Sequence, residues 1–151
     1  MLSQTCEYAL RATTFIAHHA GEEPVLAKDV AEYTDVPLKY LQKILRDLVR
    51  VGVLVSARGI GGGFQLSRPP AQVYLVDVLR PFEDTSQQMS CPFGNPECGG
   101  SNPCPVHERW SRVVRAYRTF LETTTLGQLV RKKPFVARKR RASQWRRRSR
   151  V

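Results

Sequence analysis

Cys91, Cys98, Cys104 and His107 fall within seventeen residues, in the spacing Cys-x6-Cys-x5-Cys-x2-His. Thiolate and imidazole are soft to borderline donors, so the set fits zinc, copper or an iron–sulfur cluster and argues against magnesium or calcium. Three thiols and an imidazole also make an accepted structural zinc set, with a spacing close to that of single-finger RNA-binding modules. A self-contained finger, however, has no need of the long segment that precedes this one. Proline directly follows Cys91 and Cys104, as it follows a ligand in some iron–sulfur loops. In a reducing compartment these thiols are expected to stay unpaired, which favours metal ligation over disulfides. Cys6 lies on the apolar face of the first expected helix and reads as a small core residue.

A second chemistry is contact with nucleic acid. The segment 37–51 places Lys39, Tyr40, Gln42 and Lys43 at the start of a helix, with Arg46 one turn on. Gln pairs with adenine and Lys with guanine, while Tyr and Arg suit phosphate. Alone, such a pattern also describes an ordinary solvated helix face. The run Arg58-Gly59-Ile60-Gly61-Gly62-Gly63-Phe64 lacks the Lys-Ser/Thr of a nucleotide-binding P-loop and joins strand to strand. Its glycines permit close approach of backbone to a phosphate or groove wall, with Arg58 placed to enter a minor groove. The expected DNA-facing set is Lys28, Pro37, Lys39, Tyr40, Gln42, Lys43, Arg46, Arg58, Gly59 and Gly61.

The elements that must position these groups follow from periodicity. A first helix spans about 2–19, with Ser3 placed to cap it, and Gly21 stops it. A short second helix covers about 26–33 and breaks at Thr34-Asp35-Val36. Pro37 suits the first turn of the third helix, whose expected buried stripe is Leu38, Leu41, Ile44, Leu45 and Leu48. Apolar runs at 53–57 and 64–67 around the glycines read as a β-hairpin. A short helix over 73–80 follows, then a Pro/Gly/Ser-rich loop to residue 104. A long helix from Pro105 to about Glu122 carries Trp110, Val113, Val114, Tyr117, Phe120 and Leu121 on one side. A last turn at 125–130 precedes the tail. The order helix, short helix, turn, helix, hairpin is that of a winged helix-turn-helix, whose second motif helix lies in the major groove. The fold class is thus mainly α. Residues 1–80 form the DNA-binding domain, 81–104 the cysteine loop, 105–130 the long-helix region and 131–151 a basic tail expected to be disordered.

Charge supports this division. Residues 1–130 hold 13 Lys/Arg and 13 Asp/Glu, whereas residues 131–151 hold 11 Lys/Arg and no acid. All of the +11 excess lies in the tail, which will seek polyanions without sequence preference. Trp145 among its arginines adds a stacking group. No apolar run approaches the roughly 18 residues of a membrane span, and no leader is evident, so a cytoplasmic location is expected. An enzyme is not expected: there is no Cys-x-x-Cys, no nucleophile–base pair with an orienting group, and no cofactor fingerprint.

Five pieces in order make a specific resemblance: Glu7-Tyr8-Ala9-Leu10-Arg11, Tyr40-Leu41-Gln42-Lys43-Ile44-Leu45, the stretch Arg58 to Phe64, the three spaced cysteines, and Thr125-Leu126-Gly127-Gln128-Leu129. Over residues 1–130 the chain resembles the IscR/NsrR family of bacterial winged-helix regulators. The resemblance implies a homodimer built through the long C-terminal helix and a palindromic DNA operator. It also implies an iron–sulfur cluster, 2Fe–2S or 4Fe–4S, on Cys91, Cys98 and Cys104. Members with this pattern sense cluster supply, nitric oxide, iron or redox state. His107 matches a histidine three positions beyond the third cysteine in the IscR branch. Glu7 stands near an acidic residue that, in the NsrR branch, reaches the partner protomer's cluster. The first cysteine gap is six residues here against five in the IscR pattern, which leaves nuclearity and fourth ligand open. The competing class is a zinc-stabilised nucleic-acid-binding protein in which the metal only holds the fold.

Overall fold

The computed structural model describes residues 2–83, 91–95, 99–101 and 103–130. Cys98 and the basic tail lie outside the described residues.

Helix α1 (Gln4–His18) begins where Ser3 Oγ accepts the Cys6 N–H at 3.3 Å. Its buried face is Cys6, Ala9, Ala12, Thr13, Ile16 and Ala17, a three-and-four spacing that puts one stripe against the core. Small residues dominate that stripe, so neighbouring elements can approach α1 closely. It packs against α2 (Ala27–Thr34), α3 (Leu38–Arg50) and α4 (Leu75–Leu79). The hydroxyls of Thr13 and Thr34 are buried, and each bonds a carbonyl four residues back, Ala9 O at 2.9 Å and Val30 O at 2.6 Å. These two hydroxyls therefore add no unpaired polar group to the core.

The break between α2 and α3 is made by Asp35, the one non-glycine residue with positive φ (56°) among those described. Pro37 stands just outside α3 as its N-cap. The α3 stripe is buried at Leu41, Ile44, Leu45 and Leu48, but Leu38, expected in it, is 39% exposed. Val36, extended just ahead of the helix, is buried instead, so the core already has an apolar residue where the chain enters α3. Each of the four fully buried side chains contributes roughly 1.5–3 kcal/mol of burial free energy.

Strands β1 (Leu54–Ala57) and β2 (Gly63–Leu66) pair antiparallel, with Leu54 opposite Leu66 and Ala57 opposite Gly63. Val25 adds an isolated antiparallel bridge to β2, exchanging two backbone bonds with Phe64 at 3.0 and 2.8 Å. The hairpin is thereby stitched to the segment entering α2 and stands as a wing beside the helix-turn-helix. Beyond it, Arg68 bonds Asp77 at 2.6 Å and tethers the wing base to α4.

The C-terminal motif is explained by its bonds. Leu126 is fully buried, its N–H donates to Val73 O at 2.9 Å, and Leu75 N–H donates to Thr124 O at 3.0 Å. Gln128 Oε1 accepts the Thr125 N–H at 3.0 Å and caps the short α6 (Leu126–Val130). This turn closes the domain on α1. The intervening α5 (His107–Thr123) touches the rest chiefly through α4.

Only Leu121 of the seventeen α5 residues is buried, whereas Val113 and Phe120 are 54% and 52% exposed. The apolar residues expected on one side therefore do not share one environment. Leu121 and Tyr117 meet the core, while Val106, Val113 and Phe120 remain exposed. The reason is the hundred-degree step of an α-helix: six apolar positions spread over more arc than one neighbour, α4, can cover.

Candidate nucleic-acid interface and cysteine loop

All ten residues expected to face DNA are exposed. Lys39, Tyr40, Gln42, Lys43 and Arg46 share the solvent side of α3, and Arg58, Gly59 and Gly61 form the wing tip. Among the described residues, the ion pairs are Arg11–Glu7, Arg50–Asp47 and Arg68–Asp77. None uses Lys28, Lys39, Lys43, Arg46 or Arg58, so a phosphate would displace no described ion pair at these cations.

The wing tip is shaped by absence of side chains. A Cβ on Gly62 would fall 2.6 Å from Ala57 O, and one on Gly63 would fall 2.6 Å from Val25 O. The tight return of the hairpin and its bridge to Val25 therefore both require glycine. At the tip, Ile60 is fully exposed, an apolar group held out where a groove wall would meet it.

Tyr40 has an additional role that sequence patterning did not reveal. Its hydroxyl forms a short hydrogen bond with Thr5 Oγ1, and its ring meets Tyr8 edge-on with centroids 6.0 Å apart. Tyr40 thus ties the start of α3 to the start of α1. At that same end of α1, Ser3 N–H donates to Glu83 Oε1 at 2.8 Å. Glu83 is the last described residue ahead of Cys91. Burial pushes the nearby Cys6 thiol up to about 12, with the Ser3 hydroxyl opposing and Glu83 adding to the rise. Cys6 is thus a neutral, inert core thiol, as its place in the sequence suggested.

In the loop, Cys91 is buried, Cys104 is half-buried, and neither forms a disulfide. Cys104 and His107 come together at the start of α5, where the His107 N–H donates to Cys104 O at 2.9 Å. Gly99 lies against the His107 ring; a Cβ there would sit 3.1 Å from Cε1. Among the described residues no three of His, Cys, Asp and Glu are grouped closely enough to hold a metal. Glu7 is exposed on α1 in an ion pair with Arg11 at 3.5 Å.

The donors that are described fit a thiolate-held metal group in kind. Unbridged thiols and an imidazole are present, and α5 has Val106 as its N-cap residue with no side-chain cap. A long helix with uncapped N–H groups favours negative charge at that end, as a set of thiolates would supply. One turn beyond His107, the Trp110 indole N–H is buried without a hydrogen-bond partner among the described residues.

A family model described as "Rrf2: Iron-dependent Transcriptional regulator" matches residues 2–132. The chain belongs to the Rrf2 family. Protein rrf2 of Nitratidesulfovibrio vulgaris is 32% identical over 130 residues, covering 86% of this chain and 87% of that protein. The HTH-type transcriptional regulator IscR of Aliivibrio salmonicida is 30% identical over 129 residues, covering 85% and 76%. Among solved structures, CymR, the global cysteine regulator of B. subtilis, superposes with a TM-score of 0.73 at 26% identity, covering 87% of this chain and 96% of CymR. T. potens IscR superposes at 0.68 with 25% identity, covering 87% and 86%. This Rrf2-family chain is accordingly a winged-helix transcriptional regulator that binds DNA, as the order of helices, hairpin and long helix indicated. Among its described residues, no helix is long and apolar enough to cross a membrane.

Proposed function

We propose that this chain is a cytoplasmic regulator whose binding to a palindromic operator is controlled by an iron–sulfur cluster held by Cys91, Cys98 and Cys104, and that it acts as a homodimer joined through α5. One observation carries the proposal: α5 bears Cys104 and His107 at its start and an exposed apolar stripe, Val106, Val113 and Phe120, along its length. The metal loop and the dimer face then share one rigid element. His107 is the fourth ligand we favour, because it already sits with Cys104; Glu7 is the alternative, supplied by the partner protomer. When bound, the cluster would supply a centre that reacts with oxidants and nitric oxide, and a non-thiolate fourth ligand would leave one iron more open to attack.

The chain's own residues supply the linkage to DNA. Ligation by thiols spaced along a loop offsets the conformational entropy lost in holding a loop in one arrangement. It would fix the chain between Glu83 and α5, and hence the separation of two α3 helices across the dimer. Half-sites must lie about one helical turn, ~34 Å, or a multiple apart, so a small change there alters operator affinity. Within the protomer, contacts from Glu83 through Ser3 and Thr5 to Tyr40 connect the loop entrance to the recognition helix. The fold itself does not name the signal, since function resides in the site and not in the architecture; the cysteine spacing is what selects iron–sulfur sensing here.

Protein purified without air tests the proposal. Iron and acid-labile sulfide in equal amounts, visible iron–thiolate absorption and a cluster-dependent change in operator affinity are expected. Colourless protein carrying stoichiometric zinc and binding its operator at full selectivity would establish the zinc-stabilised alternative instead.

A further inference from the structure

Ser111 stands one helical turn beyond His107 on α5, and its Oγ lies 3.1 Å from His107 Nε2. Gly99 abuts the same edge of the ring: a Cβ there would fall 3.1 Å from Cε1 and 3.4 Å from Nε2. The backbone N–H of His107 is fixed to Cys104 O at 2.9 Å. The imidazole is therefore restrained at its backbone, along one edge and at one nitrogen.

A ring nitrogen that ligates a metal must offer its lone pair. The proton then sits on the other nitrogen, and the hydrogen bond made there sets both tautomer and ring orientation. The contact fits a donor on either side, depending on the tautomer; a helical serine hydroxyl that turns its proton to the carbonyl four residues back leaves its oxygen lone pairs to accept. We infer that Ser111 is a positioning residue for His107: its Oγ accepts from Nε2–H, selects the tautomer with the lone pair on Nδ1, and so makes Nδ1 the ligating atom. The inference rests on His107 being the fourth ligand, as proposed above. Gly99 contributes by lacking a side chain that would push the ring off Ser111; its φ of +98° also disfavours any other residue.

The test uses full-length protein with histidine 15N-labelled at Nδ1 alone or at Nε2 alone. In the metal-free protein, in mildly alkaline buffer, two-bond 15N–1H correlation spectra report the His107 tautomer. Wild type should be protonated on Nε2, Ser111→Ala should show a mixture, and Ser111→Thr should restore the wild-type pattern. In the anaerobically reconstituted, reduced protein, pulsed electron paramagnetic resonance should show strong coupling from 15Nδ1. Cluster lifetime under chelator challenge should shorten by about tenfold or more in Ser111→Ala, the scale on which loss of such supporting groups acts. Coupling from Nε2, a metal-free ring protonated on Nδ1, or an unchanged tautomer in Ser111→Ala would overturn the Ser111 inference while leaving His107 as a ligand. Absence of any histidine coupling in cluster-loaded protein would overturn both.

Discussion

Replacing Phe120 by alanine probes the proposed dimer face at its most informative point. Phe120 is 52% exposed in the protomer. On a side chain of about 200 Å² that leaves ~100 Å² for a partner to cover, worth ~2.5 kcal/mol at ~25 cal/mol per Å². Alanine recovers a small part of this, so the loss is ~2 kcal/mol per protomer and ~4 kcal/mol per symmetric dimer. At ~1.4 kcal/mol per decade, the dimer dissociation constant should rise by roughly three orders of magnitude. Sedimentation equilibrium over a wide concentration range reads this directly, and circular dichroism of the dilute variant checks that the protomer is still folded. Leu121, one residue away, is fully buried in the protomer core, so Leu121→Ala should lower protomer stability by about 2–5 kcal/mol. A folded Phe120→Ala protein that self-associates within tenfold of wild type would refute the assignment of this stripe to a second copy.

Four other outcomes follow from the same geometry. Gly62→Ala places a Cβ 2.6 Å from Ala57 O; it should distort the wing at a cost of about 1–3 kcal/mol and weaken DNA binding, and unaltered affinity would take the wing off the DNA. Glu83→Ala and Tyr40→Phe, alone and combined, should show a coupling of about 0.5 kcal/mol or more in operator binding; strict additivity would mean that the contacts between them transmit nothing. Burial, and secondarily the neighbouring His19, holds the His18 imidazole below its ordinary value of 6.5. The unfolded chain then binds this proton more tightly than the native state, so the contribution is present above ~6.5 and lost as pH falls through the depressed native value. Denaturant midpoints should decline over that window, His18→Gln should flatten the decline, and an unchanged slope would assign it elsewhere. Truncation after Val130 removes 11 cations and should reduce the salt slope of DNA binding while preserving sequence preference; an unchanged slope would place the tail away from DNA.

The sequence by itself determined the elements and their order. The three-and-four spacing of Leu41, Ile44, Leu45 and Leu48, the Ser3 cap, the break near Asp35 and the glycine-rich return between two strands are signals carried within a dozen residues each. Ser111 was also within reach, since a side chain four residues beyond a helical histidine lies on its face. The tertiary structure alone decided which apolar residues are inside, because burial depends on what arrives from distant parts of the chain. Val36 is buried and Leu38 is left exposed; α4 covers Leu121 and leaves Phe120 to solvent. The Tyr40–Thr5 bond, the Glu83–Ser3 bond and the seat of Gly99 on His107 join segments with no common periodicity. Backbone dihedrals and hydrophobic patterning act locally, whereas these contacts exist only after the core has brought the ends of α1, α3 and the loop together.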